Sequence, residues 1–118
     1  MTENLRILVI EEDPGLRELF RVLFKGDLPM VPGTPRLADR LLREVYYDLL
    51  ILDEDSGMLE RRWGISARPP VPTLLIAPAR PVRLRDASAP SLLVLTKPFA
   101  VEPFLDFVEA IRATRAAR

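Results

Sequence analysis

The sequence contains no cysteine and no histidine among its 118 residues. The absence of cysteine excludes disulfides, thiolate catalysis and cysteine-based metal sites. The absence of histidine removes the commonest general base and the commonest transition-metal ligand. Any acid–base or metal chemistry must therefore rest on carboxylates and lysine, and carboxylate sites favour hard cations such as Mg²⁺.

An excess of charge of one sign is also missing, since Lys plus Arg and Asp plus Glu number 17 each. A balanced chain has no general attraction for a phosphate backbone, so no nucleic-acid partner is expected. No apolar run approaches the ~20 residues needed to cross a bilayer. Residues 1–6 lack the pattern of a signal peptide. We therefore expect no membrane association and a cytoplasmic location.

The chain does contain enough apolar material for one core. Hydrophobic residues make up 48% and charged residues 29% of it, which is typical of a globular domain rather than of a disordered chain. The length fits a single domain covering residues 1–118. Eight of the twelve prolines lie between Pro69 and Pro103, so the helix expected in that part is predicted to be short or irregular.

Short apolar runs alternate with stretches of helical periodicity along the chain. The runs are predicted to be buried strands, because parallel strands covered on both faces are continuously apolar. Helices are predicted where Asp13-Pro14 and Thr34-Pro35 each supply a cap followed by proline. Lys25-Gly26 is expected to end the first helix in a left-handed turn. The predicted strands are 5–10, 29–31, 48–53, 73–77 and 92–95, and the predicted helices are 14–24, 35–45, 57–63, 78–90 and 101–115.

The alternation of a strand with a helix, repeated five times, predicts an α/β fold with a doubly wound five-stranded parallel sheet and helices on both faces. In such sheets, ligands bind at the carboxyl ends of the strands. Three predicted strands end in charge there: Glu11-Glu12-Asp13 after the first, Asp53-Glu54-Asp55 after the third, and Lys97 after the fifth. The sequence therefore predicts that these charges meet at one edge of the sheet.

Carboxylates gathered at one place repel, and each raises the pKa of the others unless a cation offsets them. A Mg²⁺ ion would offset them and keep water ligands for an incoming phosphate. The carboxylates, the metal ion and Lys97 on the opposite side together suit acyl-phosphate chemistry. In that chemistry an aspartate is the nucleophile and two cations neutralise the phosphoryl group. One such cluster alone is more often solvated surface, but three at matching strand ends favour a functional site.

The segments ILVIEEDPGLR, DLLILDEDSG and LTKPF, in that order, resemble the three signature segments of response-regulator receiver domains, and the resemblance covers essentially the whole chain. It implies a flavodoxin-like strand order 2-1-3-4-5 and Asp53 as the phosphoacceptor. The implied metal ligands for Mg²⁺ are Glu11, Glu12, Asp53 and the backbone carbonyl of Asp55. Lys97 is implied to bind the phosphate, with a cis peptide bond before Pro98, and Asp13 is assigned to helix capping.

The sequence departs from the family pattern at several positions. Glu12 stands where the family usually has aspartate, and Gly57 replaces a common proline. Ala77 stands where the family has a serine or threonine, and Val94 stands where it has a switch aromatic. Both halves of the usual switching pair are therefore missing, so we predict an atypical receiver that takes phosphate without hydroxyl–aromatic coupling.

The resemblance implies a histidine kinase or phosphotransfer protein as the phosphate donor and a downstream protein target. It also allows a homodimer. It implies no enzymatic activity beyond self-phosphorylation of the aspartate from a donor. Because the chain ends soon after its last predicted helix, we expect a stand-alone receiver or one excised from a longer protein.

Two other interpretations stay open. The first is a receiver-like adaptor that works without phosphorylation, for which replacement of Asp53 would leave partner binding unchanged. The second is a metal-dependent nucleic-acid enzyme, because Glu11 with Asp53-x-Asp55 resembles the metal site of toprim domains. The absence of a basic stripe argues against the second interpretation, and so does the Thr-Lys-Pro-Phe segment.

Overall fold

A computed structural model describes residues 4–53, 71–77, 92–97 and 99–116. Five strands and three helices lie within these ranges. The strands are β1 (Arg6–Ile10), β2 (Leu28–Met30), β3 (Leu49–Asp53), β4 (Thr73–Ala77) and β5 (Leu92–Thr96), and the helices are α1 (Pro14–Leu23), α2 (Pro35–Glu44) and α3 (Val101–Ala116). The helices predicted at 57–63 and 78–90, the latter short or irregular, lie outside the described residues.

The five strands form one sheet in the order β2-β1-β3-β4-β5, and every neighbouring pair is parallel. The predicted doubly wound sheet with the order 2-1-3-4-5 is thus confirmed. Strands β3 and β4 are buried along their whole length, which explains why both read as unbroken apolar runs. The strand order reverses between β1 and β3, so the crevice for a ligand is expected at their carboxyl ends.

Helices cover both faces of the sheet. Helix α2 packs on one face through Ala38 and Leu42, against alternate strand residues that include Leu8 and Leu50. Helices α1 and α3 pack on the other face, against the intervening strand residues. The buried residues of this second core are Leu5, Ile7, Val9, Phe20, Phe24, Leu49, Ile51, Leu74, Ile76, Leu95, Phe104 and Val108. Side chains therefore alternate between the α2 face and the α1/α3 face along each strand.

Two helices begin at the caps that the sequence predicts. The Asp13 carboxylate accepts a hydrogen bond from the backbone N–H of Gly15 at 2.8 Å. The Thr34 hydroxyl accepts one from the backbone N–H of Leu37 at 3.1 Å. Each cap satisfies a backbone donor that the first helical turn leaves free. The assignment of Asp13 to capping is confirmed.

The end of α1 differs from the prediction. The helix ends at Leu23 and is capped by Phe24, whose backbone N–H donates to the Phe20 carbonyl. The chain then turns through hydrogen bonds from Lys25 N–H to the Val22 carbonyl and from Asp27 N–H to the Phe24 carbonyl. Gly26 does not adopt a left-handed φ, because these tight turns already satisfy the last carbonyls of the helix without a left-handed residue.

Among the residues that the structure describes, no helix is both long enough and apolar enough to cross a membrane.

Candidate functional site

Strand alternation brings three charged residues to the carboxyl edge of the α1/α3 face. Val9 and Ile51 belong to the core on that face, so Glu11 and Asp53, two positions further along, continue it. The register pairs Ile10 with Leu52, which places Glu11 level with Asp53. Leu95 lies in the same core, and Lys97 follows it by two positions, directly after the end of β5. The sheet ladder extends to Lys97, whose backbone N–H donates to the Ala77 carbonyl at 2.8 Å.

An ion pair closes this edge of the sheet. The Lys97 Nζ donates a hydrogen bond to Glu11 Oε1 at 3.0 Å, across a sequence separation of 86 residues. The Glu11 side chain is fully buried, whereas the Lys97 side chain is 31% exposed. A charge-assisted hydrogen bond with one buried partner is stronger than an exposed pair. The pair therefore joins the end of β5 to the end of β1, above Asp53 on β3.

Burial shifts the pKa of Glu11 upward. On balance this pKa rises from 4.5 to about 7: loss of hydration raises it most, the Lys97 hydrogen bond lowers it in part, and the negative charge of Asp53 raises it. For Lys97, partial burial lowers the pKa, but the hydrogen bond and charge of Glu11, together with the charges of Asp53 and Asp13, raise it on balance. Glu11 is thus a carboxylate that needs a cation to stay ionised near neutral pH.

The second oxygen of Glu11 lacks a partner. Glu11 Oε2 is buried and has no hydrogen-bond partner among the described residues. Asp53, whose carboxylate raises the pKa of Glu11, is itself buried. Buried polar atoms are nearly always satisfied, so an orphaned carboxylate oxygen beside a second carboxylate marks a place where a further cation would be stabilised.

The other predicted site residues occupy different positions. Glu12 is exposed, because it follows Glu11 directly and alternation turns it away from the α1/α3 face. Asp55 and Pro98, with the predicted cis bond, lie outside the described residues. Within the described ranges, no group of three acidic side chains is close enough to hold a metal ion. The structure thus brings together Glu11, Asp53 and Lys97.

The degenerate switch positions lie on the opposite face. Ala77 is fully buried at the end of β4, and its neighbour in register on β5 is Thr96. Val94 is partly buried against the core beneath α2. At these two positions the described structure places only methyl groups, so neither offers a hydroxyl or an aromatic ring.

The raised pKa of Glu11 predicts a pH dependence of stability. In the unfolded chain the carboxyl has its ordinary pKa of 4.5, whereas in the folded protein it is about 7. The folded state therefore binds this proton more tightly, and the resulting stabilisation is full below pH 4.5 and is lost as the pH rises through 7. We expect the free energy of unfolding to fall by about 2 kcal/mol between pH 5 and pH 8.

The matched control for this prediction is Glu11→Gln, which keeps the shape of the side chain and cannot ionise. Urea unfolding at several pH values measures both proteins. Lys97 and Asp53 are the charged groups that act on Glu11, and both stay in the control. A pH slope that is the same in the wild type and the variant would assign the effect to other groups.

Comparison with solved structures identifies the fold. The receiver domain of the Francisella response regulator 1452 matches with a TM-score of 0.67 at 18% identity, over 95% of this chain and 99% of that one. A response regulator receiver protein from Sinorhizobium medicae matches with a TM-score of 0.69 at 17% identity, over 96% and 98% of the two chains.

A third match is a chain from the complex of the histidine kinase ThkA with the response regulator protein TrrA, with a TM-score of 0.60 at 21% identity, over 91% of this chain and 97% of that one. No family model and no curated protein sequence matches. The chain has the receiver-domain fold, as its three signature segments predict.

Proposed function

We propose that this protein is a receiver domain of two-component signalling that accepts a phosphoryl group on Asp53. The observation that carries the proposal is the position of Asp53, which is buried at the carboxyl end of the central strand β3, beside the Glu11–Lys97 ion pair. The receiver-domain fold supports it over a toprim-like nucleic-acid enzyme. The protein is then a regulator rather than an enzyme acting on a separate substrate.

The chemistry follows from the three residues. A carboxylate oxygen of Asp53 would attack the phosphorus of a phosphohistidine or of a small acyl phosphate. The new O–P bond forms as the bond from phosphorus to the leaving group breaks. Histidine leaves as the neutral imidazole after taking up a proton from solvent, whereas an acyl phosphate releases a carboxylate that needs no proton. The Lys97 side chain is 31% exposed, and its Nζ would turn from Glu11 towards the phosphoryl oxygens and neutralise their charge.

The donor set fits a hard cation such as Mg²⁺. The orphaned Glu11 Oε2 and the Asp53 carboxylate would hold it, with Glu12 and the backbone carbonyl of Asp55 as further proposed ligands. When bound, the ion would neutralise the transferring phosphoryl group. Because Glu12 is exposed and one Glu11 oxygen already binds Lys97, we propose that the metal is held weakly.

The transmission of the phosphorylation signal is proposed to differ from the usual hydroxyl–aromatic switch of receiver domains. Ala77 has no hydroxyl to bind a phosphoryl oxygen, and Val94 has no ring that could turn inward after it. The expected partners are a histidine kinase or phosphotransfer protein and a downstream protein target, with cytoplasmic location and homodimer formation as further parts of the proposal. A kinase partner is supported by the ThkA–TrrA complex among the structural neighbours.

Intact-mass spectrometry tests the proposal. The wild type is incubated with acetyl phosphate and Mg²⁺, and Asp53→Asn is the matched control because the amide keeps the shape of the carboxylate and removes the nucleophile. We expect the mass of one phosphoryl group on the wild type and none on the variant. Equal gain on both proteins, or no gain on the wild type, would contradict phosphorylation of Asp53.

A phosphorylation-independent adaptor is the second candidate. The Glu11–Lys97 pair favours it, since this pair partly neutralises the buried acids without any phosphoryl group. Under this proposal a partner binds wild type and Asp53→Ala with the same affinity. Loss of binding by Asp53→Ala, with unchanged thermal stability, would exclude the adaptor.

A further inference from the structure

We propose that Lys97 acts as an internal counter-ion that competes with the divalent cation for Glu11. The inference rests on the proposed function, because it concerns the metal that the phosphoacceptor site would bind. It assigns Lys97 a role in the resting protein, before any phosphoryl group is present. In that role Lys97 keeps the metal affinity of the site low.

Glu11 would have to hold two cations at once if a metal ion bound beside Lys97. Lys97 Nζ lies 3.0 Å from Glu11 Oε1, and the Glu11 side chain is completely buried. A metal ion on Oε2 would therefore sit on the same carboxylate as the ammonium group. The two cations would repel across a short distance, and the buried position weakens screening by water and salt. Metal binding thus requires Lys97 to move away.

The described part of the site offers few alternative ligands for the metal ion. Among the described residues, Asp53 is the other buried carboxylate at this edge, and no third acidic side chain there completes a metal-binding group. A metal ion therefore depends strongly on Glu11 and cannot avoid the competition by binding elsewhere in the described site. The ammonium group already supplies part of the positive charge that the two acids need.

Phosphorylation of Asp53 would change the partners that are available to Lys97. A phosphoryl group on Asp53 offers Lys97 new anionic oxygens, so the ammonium group can leave Glu11 without losing a counter-charge. Glu11 then becomes available to the metal. Metal and phosphoryl group are therefore expected to bind cooperatively, each favouring the arrangement that suits the other.

Metal titration of charge variants tests the competition. Mn²⁺ binding is measured by calorimetry at pH 8.5 on the wild type, Lys97→Met and Lys25→Met. Lys25 is the matched control because it is exposed and is the other lysine of the chain. We expect Lys97→Met to bind Mn²⁺ about tenfold more tightly than the wild type, and Lys25→Met to change the affinity less than about twofold.

A double-mutant cycle separates competition for Glu11 from a general field effect. If Lys97 acts by occupying Glu11, then Lys97→Met gains little affinity when Glu11→Gln is already present. An equal gain in both backgrounds would overturn the proposal, and so would unchanged or weaker Mn²⁺ binding by Lys97→Met. Lys97→Gln repeats the test if the methionine variant fails to fold, as judged by circular dichroism.

The metal titrations test the competition separately from the proposed function. Phosphorylation of the wild type at Asp53 with no coupling between Lys97 and Glu11 would refute the competition alone. Absence of phosphorylation would refute the proposed function, whatever the metal titrations give.

Discussion

Replacing Phe104 with alanine is expected to lower the free energy of unfolding by about 4 kcal/mol. Phe104 is 1% exposed and lies in the core between the sheet, α1 and α3. Its ring is 5.7 Å from that of Phe20 and 5.8 Å from that of Phe24, centroid to centroid, distances at which aromatic pairs attract. Truncation would remove both ring contacts and leave a cavity that rigid strands cannot fill.

Leu105→Ala is the matched control for this prediction, since it shortens the next residue of the same helix. Leu105 is 42% exposed, so its truncation is expected to cost less than about 1 kcal/mol. Chemical denaturation of both variants gives the comparison. Similar losses in the two variants would show that α3 does not pack through Phe104.

Helix α3 begins four residues after Lys97, so this packing also fixes the chain that leaves the site.

Arg112→Met is expected to lower the free energy of unfolding by about 3 kcal/mol. Arg112 Nη1 and Nη2 donate to the two carboxylate oxygens of Asp27 at 2.7 and 2.5 Å. The Asp27 side chain is only 4% exposed, and it also accepts a hydrogen bond from the backbone N–H of Leu5. Removing the guanidinium would leave a buried carboxylate short of its main partner, which costs more than the loss of an exposed pair.

The pKa of Asp27 supplies a second measurement on the same variant. Burial raises the pKa of Asp27, but the hydrogen bonds from Arg112 and from the Leu5 backbone, with the Arg112 charge, lower it below 3.8 on balance. The stabilisation is therefore present above pH 3.8 and is lost as the pH falls through the lower folded-state value. The cost of Arg112→Met should be smaller in strong acid than at neutral pH.

Arg43→Met is the matched control for Arg112. Its ion pair with Asp39 is long, at 3.4 Å, and both side chains are about half exposed, so the expected loss is under about 0.5 kcal/mol. Equal losses for Arg43→Met and Arg112→Met, or a cost of Arg112→Met that does not change with pH, would contradict the stabilising role of the Asp27–Arg112 pair.

Much of this fold could be predicted from local sequence patterns. Buried parallel strands are apolar without interruption, so the run Thr73 to Ala77 gives the exact bounds of β4. Asp13-Pro14 and Thr34-Pro35 identify the first residues of α1 and α2, because capping and proline at the first turn are local effects. The strand-end rule then places Glu11, Asp53 and Lys97 at one edge, since parallel strands share their carboxyl ends.

The contacts between distant residues could not be predicted in the same way. Whether Lys97 pairs with Glu11, Glu12 or Asp53 depends on strand register and on which face each side chain takes. No sequence spacing gives a contact across 86 residues. The Asp27–Arg112 pair escaped prediction for the same reason, because it joins the turn after α1 to the last helix. Glu12 was predicted as a metal ligand from its place in a motif, and that role stays a prediction.

Locating the phosphoryl group on the chain tests the account most directly. An acyl phosphate on aspartate is reduced by borohydride to homoserine, which stays at the modified position and can be mapped by peptide sequencing in a mass spectrometer. After treatment with acetyl phosphate and Mg²⁺, the account predicts homoserine at position 53 and at no other aspartate. Homoserine at another aspartate, or none at position 53, would contradict it.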